Sequence, residues 1–413
     1  MSAAILSIGT ELTRGELVNT NCGWMAEQLT ALGFDVDEAV TVGDDIGRIV
    51  EVLRRLAGRH TAVVASGGLG PTTDDLTAEA AARALGVSLI RHEPSLEAIR
   101  QRFAAAGREM SPSNMKQAEL PEGAAALANP VGTAPGFAIV LGECRCFFLP
   151  GVPHEMKRLF SDHVQPALAP LVERRSHQVR LRTFGAPESQ VGERLLGLEE
   201  AFPGVTLGYR ASFPEIEVKV LARAASAAEA EELASRVARV ARGRLGELVY
   251  AEDGDSYAAY VGRALRDRRL TLAVAESCTG GMVGALLTDV AGSSDYLLLD
   301  AVTYSNAAKT SVLGVSSEIL RAYGAVSAET AGAMADGARR IADADIAVSI
   351  TGIAGPGGAT DEKPVGTVWI GLARRDRETT AELHSLSGDR WRIRRLAAYH
   401  ALRTIVRAAS GQL

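Results

Sequence analysis

Along the first 170 residues, short strand-like stretches take turns with longer segments whose apolar positions recur every three or four residues. "AAILSIGT", "FDVDEAVTVG", "TAVVAS" and "CFFLPG" read as strands. "NCGWMAEQLTALG", "IGRIVEVLRRLAG" and "DLTAEAAARALG" read as amphipathic helices, the first two closed by Gly33 and Gly58. Strand-helix-strand order of this kind predicts a parallel sheet with helices on both faces, whose ligands gather in the turns where strands end.

From about residue 171 the pattern changes. "SHQVRLRTFG" and "EIEVKVLAR" alternate with period two, while "SQVGERLLGLEEA" and the long "AAEAEELASRVARVARGRLG" are helical, which makes a small α+β unit. It concentrates no catalytic residue types and reads as a spacer or interaction domain. Near 252 the strand-helix alternation resumes, through "LTLAVA", "MVGALLTDV", "YLLLDAVTYS", "SAETAGAMADGARRIAD", "IAVSITG" and "GTVWIGLA", to a C-terminal helix. The chain is therefore read as α/β overall, divided into 1–170, 171–251 and 252–413.

Composition narrows the picture. A length of 413 residues with 47% apolar content suits two or three packed cores. No apolar run approaches the roughly 18 residues of a membrane span, and "MSAAILSIGTEL" carries no basic segment ahead of its apolar stretch, so a cytoplasmic protein without membrane contact is expected. The net charge of -6, without a basic block, argues against direct nucleic-acid binding. Four cysteines without paired CxxC spacing are expected to be reduced, with Cys144 and Cys146 packing on opposite faces of a strand rather than binding metal. Lysine is scarce, with Lys116, Lys157, Lys219, Lys309 and Lys363 as its five occurrences among 44 basic residues.

"SGGLGPTTDDLT" (66–77) follows a strand and precedes a helix. Gly67, Gly68 and Gly70 permit tight turns and close ligand approach, and Pro71 with Thr72 suits a helix start whose N–H groups attract anions. Asp74 and Asp75 would repel a bare phosphate, so the combination suggests a metal-bridged phosphate; acidic residues that merely offset a helix dipole are the competing reading. Long Gly- and Pro-rich loops downstream carry Asn114, Lys116, His154, Glu155 and Lys157 at strand ends.

"SIGTEL", "GELVNTN", "SGGLGPTTDDLT", "REMSPSNMKQAELPEGA", "NPVGTAPGF" and "PGVPHEMK", in this order, resemble the CinA family of competence/damage-inducible proteins. The resemblance implies an N-terminal three-layer α/β domain of the MoaB, molybdopterin-binding kind. It also implies a divalent-metal-dependent ADP-ribose pyrophosphatase activity yielding AMP and ribose 5-phosphate. Carried over, it turns the loop from Gly67 to Asp75, with Asn114, Lys116 and Glu155, toward diphosphate and metal, with Asp74, Asp75 and Glu155 as the metal ligands. A non-catalytic nucleotide- or pterin-binding module, or an accessory role in DNA uptake or recombination, are the alternatives.

In "AESCTGG" (275–281) two candidate nucleophiles, Ser277 and Cys278, stand at a strand-to-helix turn, where backbone N–H groups of Thr279, Gly280 and Gly281 are suited to an oxyanion. No histidine is near. "VTYSNAAK" (302–309) places Tyr304 and Lys309 across a second strand-to-helix transition, and a buried, neutral lysine can serve as the base for a serine. A third glycine-rich turn, "SITGIAGPGG", offers Thr351, Gly352 and Gly355, and "SGDR" offers Arg390 as a phosphate ligand.

These motifs, with "GAVSAETA" and "EKPVGTVWIG", resemble the nicotinamide-nucleotide amidase domain found at the end of CinA proteins. That resemblance implies metal-free hydrolysis of nicotinamide mononucleotide to nicotinate mononucleotide and ammonia. It assigns the nucleophile to Ser277, with Lys309 as base and Tyr304 positioning or relaying, and leaves Cys278 at a variable position as the rival. A homodimer is also implied.

Overall fold

Strand β1 (Ser2–Ile8) is buried along almost its whole length, as its apolar run requires, and in the computed structural model, which describes residues 1–413, it lies inside a six-stranded sheet. Its partners are β2 (Asp35–Val42) and β3 (Ala62–Ser66), both parallel to it. A separate two-stranded ladder pairs β4 (Leu89–Arg91) with β5 (Glu119–Pro121). The large sheet is completed by β6 (Ala125–Leu127), β7 (Gly136–Leu141) and β8 (Cys144–Leu149), in the order β2-β1-β3-β8-β7-β6. Strand β8 runs parallel to β3, but β7 is antiparallel to both β8 and β6. The all-parallel expectation is thus corrected. Only Gly142 and Glu143 separate β7 from β8, and two residues close a hairpin but cannot make the crossover that a parallel pair needs.

Period-two alternation sends Ala4, Leu6 and Val63 to one face, against Ile49 and Leu53 of helix Ile46–Ala57 and Ala80 of helix Thr77–Leu85. Ala3, Ile5 and Val64 face the other way, toward Met25 and Leu29 of helix Thr20–Leu32 and Met156 of helix Pro153–Leu159. This is the three-layer α/β arrangement. Helix Thr20–Leu32 starts on the Asn19 side chain, which accepts from Cys22 N–H, and ends at Gly33 with φ 109°, a conformation that favours glycine. Cys144 and Cys146 do not pack on opposite faces. Two residues apart on a strand they share a face, and their buried sulfurs lie 3.8 Å apart.

A four-stranded sheet follows, built from β9 (Arg175–Phe184), β10 (Val205–Ser212), β11 (Glu215–Ala224) and β12 (Val249–Glu252), in the order β10-β11-β9-β12. Strand β10 escaped the hydrophobic pattern because most of its residues are exposed. The helix expected through "SQVGERLLGLEEA" breaks at Leu196-Gly197, where Gly197 takes φ 79°.

The last sheet has the order β14-β13-β15-β16-β17. Here β13 (Leu272–Glu276) lies between β14 (Leu297–Val302) and β15 (Ile346–Gly352), both parallel to it, while β16 (Thr367–Arg374) and β17 (Arg377–Ser385) are antiparallel. Strand β17 is a polar edge strand, so no apolar run announced it. Leu272 and Val274 face Val261, Val283 and Ile405, whereas Ala273 and Ala275 face Met334 and Ala335 of helix Ala328–Ala342.

The chain separates into two compact units: Met1–Gln178 with Pro203–Val205 and Leu221–Arg236, and Val179–Phe202 with Thr206–Val220 and Val237–Leu413. No helix is long and apolar enough to cross a membrane.

Candidate active site

Strand β13 delivers Ser277 at its end, where the chain turns before helix Met282–Thr288. Ser277 N–H still donates to Ile350 O (3.0 Å), so the residue is tied to the sheet. Its hydroxyl meets Lys309, whose Nζ lies 3.0 Å from Ser277 Oγ. Ser277 is 8% exposed and Lys309 1%. Lys309 sits on helix Asn306–Leu313, which begins on the Ser305 side chain, and its Nζ also donates to Thr303 O (2.8 Å). Neither partner is a carboxylate. Burial therefore lowers the amine's pKa below that of an ordinary lysine.

Cys278, the neighbouring thiol, turns into the hydrophobic core beside Val274 and Val283. Burial, with help from the Glu276 charge, pushes its pKa up to about 12. The sulfur is a thiol at neutral pH and a poor nucleophile.

Glu276 organises the turn and was not singled out in the sequence. It is fully buried, and its carboxylate accepts from Gly281 N (2.9 Å), Val283 N (2.8 Å) and Gly284 N (3.0 Å), the free donors at the helix start. The signal available was an acidic residue ending a buried strand just ahead of a helix. Asp300 on β14 faces it, and burial together with the Glu276 charge pushes the Asp300 carboxyl up to about 7. The same carboxyl occupies the space that a Cβ at Gly284 would need.

This wiring corrects the expected oxyanion donors. Gly280 N–H donates to Ser277 O (3.1 Å) and Gly281 N–H to Glu276, so both are engaged; the two glycines serve the turn itself, with φ of 63° and 88°. The donors left over are at Thr279, whose N–H is unpaired and whose Oγ1 is buried without a partner.

The remaining expected residues divide. Tyr304 is 62% exposed, and its hydroxyl accepts from Arg390 Nη2 (3.1 Å) rather than bonding Ser277 or Lys309, so a proton relay through it has no geometric basis. Arg390 also donates to Gly355 O (2.7 Å), which joins Tyr304 to the third glycine turn. Thr351 is buried and spends its hydroxyl on Ala325 O (2.6 Å). Gly352 is pressed against Thr367 and Val368 of β16. Both positions are thus constrained by packing within the protein. Arg394, one helical turn after Arg390, was missed: its Nε donates to Cys278 O (3.1 Å) and its Nη2 to Thr279 O (2.6 Å).

In the N-terminal unit a cavity of about 590 Å³ opens where β1, β3 and β8 end. Its wall includes Gly67, Gly68, Gly70, Thr72, Asp74, Asp75 and Glu155. A Cβ at Gly67 would collide with Ile8 O and one at Gly68 with Thr77 Oγ1, so these glycines are required by close packing. Pro71 and Thr72 do not start the helix, which begins at Thr77. The turn is closed instead by Asp75, which accepts from Thr72 N (2.8 Å) and Thr72 Oγ1. Asp74 competes with Asp75 for the single proton of Thr72 Oγ1, and that contact holds its carboxyl below the usual aspartate range.

The expected metal set does not form. Glu155 accepts from Asn129 Nδ2 (2.7 Å), the two aspartates are spent on Thr72, and no three His, Cys, Asp or Glu side chains gather as a metal ion requires. Asn114 is buried against Gln117 (3.1 Å), and Gln117, not Asn114, reaches the cavity. Lys116 donates to Thr72 O (2.7 Å) and lines a smaller cavity of about 130 Å³ instead.

The family model described as probable molybdopterin binding domain matches residues 4–170, that of the damage-inducible protein CinA KH domain residues 177–251, and that of the CinA C-terminal domain residues 254–409. Fold and site thus define an α/β protein joining a molybdopterin-binding-type domain to a CinA C-terminal domain. A CinA-like protein of Geobacter sulfurreducens is 45% identical over 407 residues, 97% of this chain and 98% of that one. A CinA-like protein of Desulfosudis oleivorans is 43% identical over 98% of this chain and 99% of its own. The chain belongs to the CinA family. Among solved structures, the protein CinA from Thermoplasma acidophilum, described as of unknown function, is 35% identical and covers 40% of this chain and 96% of its own, with a TM-score of 0.38.

Proposed function

We propose that the C-terminal domain hydrolyses the carboxamide of nicotinamide mononucleotide, releasing nicotinate mononucleotide and ammonia. The observation that carries this reading is the buried Lys309 amine 3.0 Å from Ser277 Oγ. In its neutral form Lys309 accepts the Ser277 proton as Oγ bonds to the amide carbon. The unpartnered Thr279 hydroxyl and the Thr279 N–H, two residues after Ser277, are the donors we assign to the resulting oxyanion. The lysine ammonium then protonates the amine, which leaves as ammonia as the C–N bond breaks. Lys309, neutral again, takes a proton from water as it attacks the ester, and returning that proton to Ser277 frees the acid. Arg390 and Tyr304, bonded to each other and exposed, are suited to the nucleotide phosphate.

The test is ammonia release from nicotinamide mononucleotide by the full chain in the presence of a chelator. Wild type and Cys278→Ser are expected to turn over, while Ser277→Ala is silent; a dead Cys278→Ser beside an active Ser277→Ala would move the chemistry to the thiol. The rate should climb as pH rises through the Lys309 pKa, with a midpoint below the ordinary lysine value of about 10.4.

For the N-terminal cavity the geometry favours a binding module for a nucleotide or pterin-like phosphorylated ligand, because Asp75 and Glu155 are already bonded within the protein and no three metal-ligating side chains gather there. Incubation with ADP-ribose and a divalent ion is expected to release no AMP, whereas tight binding of ADP-ribose agrees with the reading. Metal-dependent AMP formation that survives Ser277→Ala would restore the pyrophosphatase.

A further inference from the structure

The C-terminal helix Arg390–Ala409 presents two adjacent stripes of side chains at its start. Arg390 and Arg394, four residues apart, reach the site: the first bonds Gly355 O and Tyr304, the second spans Cys278 O and Thr279 O. Trp391, Arg395 and Tyr399, again at intervals of four, reach a different element. That element is the hairpin between β10 and β11, in the segment matched by the KH-domain model.

The hairpin contact is built from several interactions. The Phe213 ring lies 5.5 Å from the Trp391 ring, and the Arg392 guanidinium stands over it at 4.3 Å. Arg395 Nε donates to Phe213 O (3.2 Å), and its guanidinium stands over Trp391 (5.7 Å) and Tyr399 (5.6 Å). Below, Tyr399 hydroxyl donates to Glu215 (2.8 Å), a buried carboxylate that Arg182 also pairs with (3.1 Å). The N-terminal half of this helix is therefore gripped from one side by the hairpin while it grips the nucleophile turn with the other.

From this we infer that the Phe213 hairpin is a positioning element of the amide-hydrolysing site, so that the middle segment is a working part of that site rather than a spacer. It acts through the helix: Phe213 and Glu215 seat Trp391, Arg395 and Tyr399, and the seated helix aims Arg394 at the carbonyls of Cys278 and Thr279. Holding those two carbonyls fixes the peptide planes on either side of Thr279, because the Cys278 carbonyl shares its plane with the Thr279 N–H. A loosely held first turn leaves the Ser277–Lys309 pair intact but blurs the oxyanion donors and the Arg390–Tyr304 contact. The inference rests on the amidase reading for its kinetic half.

The experiment compares full-length Phe213→Ala and Phe213→Tyr with wild type. For Phe213→Ala, kcat/KM for nicotinamide mononucleotide is expected to fall about tenfold, a loss typical of misplaced positioning groups. Its pH midpoint is expected to stay put, because Lys309 is untouched, and Phe213→Tyr should restore the rate. Amide hydrogen exchange followed by mass spectrometry should quicken in 389–396 and 278–281 of Phe213→Ala, with β13 protection unchanged. Wild-type kcat/KM with unaltered exchange in both segments overturns the inference while leaving the amidase reading intact. If wild type releases no ammonia, the amidase reading fails by itself, and the exchange pattern alone then decides whether the hairpin holds the nucleophile turn.

Discussion

Lys309→Met is expected to lower ammonia release roughly a thousandfold while leaving the folded state as stable as wild type or more so. General-base catalysis contributes on the order of 10² to 10⁴ in rate, and no second base is bonded to Ser277 Oγ. The stability half follows from burial: an amine 1% exposed, with a hydroxyl and a carbonyl for partners and no carboxylate, is held out of water at a cost that methionine of similar length does not incur. The pH dependence has a definite sign. The folded pKa of Lys309 is lowered, so between that value and about 10.4 the unfolded chain binds a proton that the folded chain does not, and stability rises with pH through that window. Methionine removes this slope. Lys309→Arg should not rescue activity, since a guanidinium stays charged. Urea midpoints and ammonia assays on the same samples settle the matter; a Met variant with more than a tenth of wild-type rate means another group takes the proton.

Glu276→Ala is expected to cost about 3 kcal/mol or more, because two buried N–H groups and one partly buried N–H at the start of helix Met282–Thr288 lose their only acceptor. Activity should vanish with it, as Ser277 and Thr279 ride on that turn. Asp300 gives the matching pH test. Its carboxyl is pushed up to about 7 by burial and by Glu276, so the folded chain keeps a proton that the unfolded chain releases above about pH 4. The contribution to stability is present below that pH and is lost as pH rises to about 7. Asp300→Asn removes the titration, and its urea midpoint should gain on wild type from pH 5 to pH 8. A constant difference between the two proteins across that range would mean that Asp300 is ionised throughout.

The buried strands β1, β3, β8, β13, β15 and β16, the helices with clear three-to-four periodicity and their Gly33 and Gly58 ends were legible, because apolar periodicity and glycine caps are local properties. Strands β10 and β17 were not, because their polar edges bury little. The antiparallel turn of β7 onto β8 was overlooked although the two-residue spacing encoded it. In the same way, Cys144 and Cys146 share a face by strand geometry alone, which the residue count should have shown.

The sequence by itself determined the family motifs, the residue types at the candidate active site and the presence of a serine and a lysine at two strand-to-helix turns, since all of these are short-range patterns. Only the tertiary structure decided which partners meet. Ser277 and Lys309 lie 32 residues apart and join because parallel neighbours β13 and β14 end on the same side of one sheet. Arg394 reaches Cys278 and Thr279 across more than a hundred residues, and Glu276 spends its charge on donors that the motif had reserved for an oxyanion. Thr351 and Asn114 carry suitable chemistry, yet their polar atoms are bonded elsewhere within the protein. A side chain's role depends on where its hydrogen bonds go and how much water it keeps, and both follow from packing between segments distant in sequence.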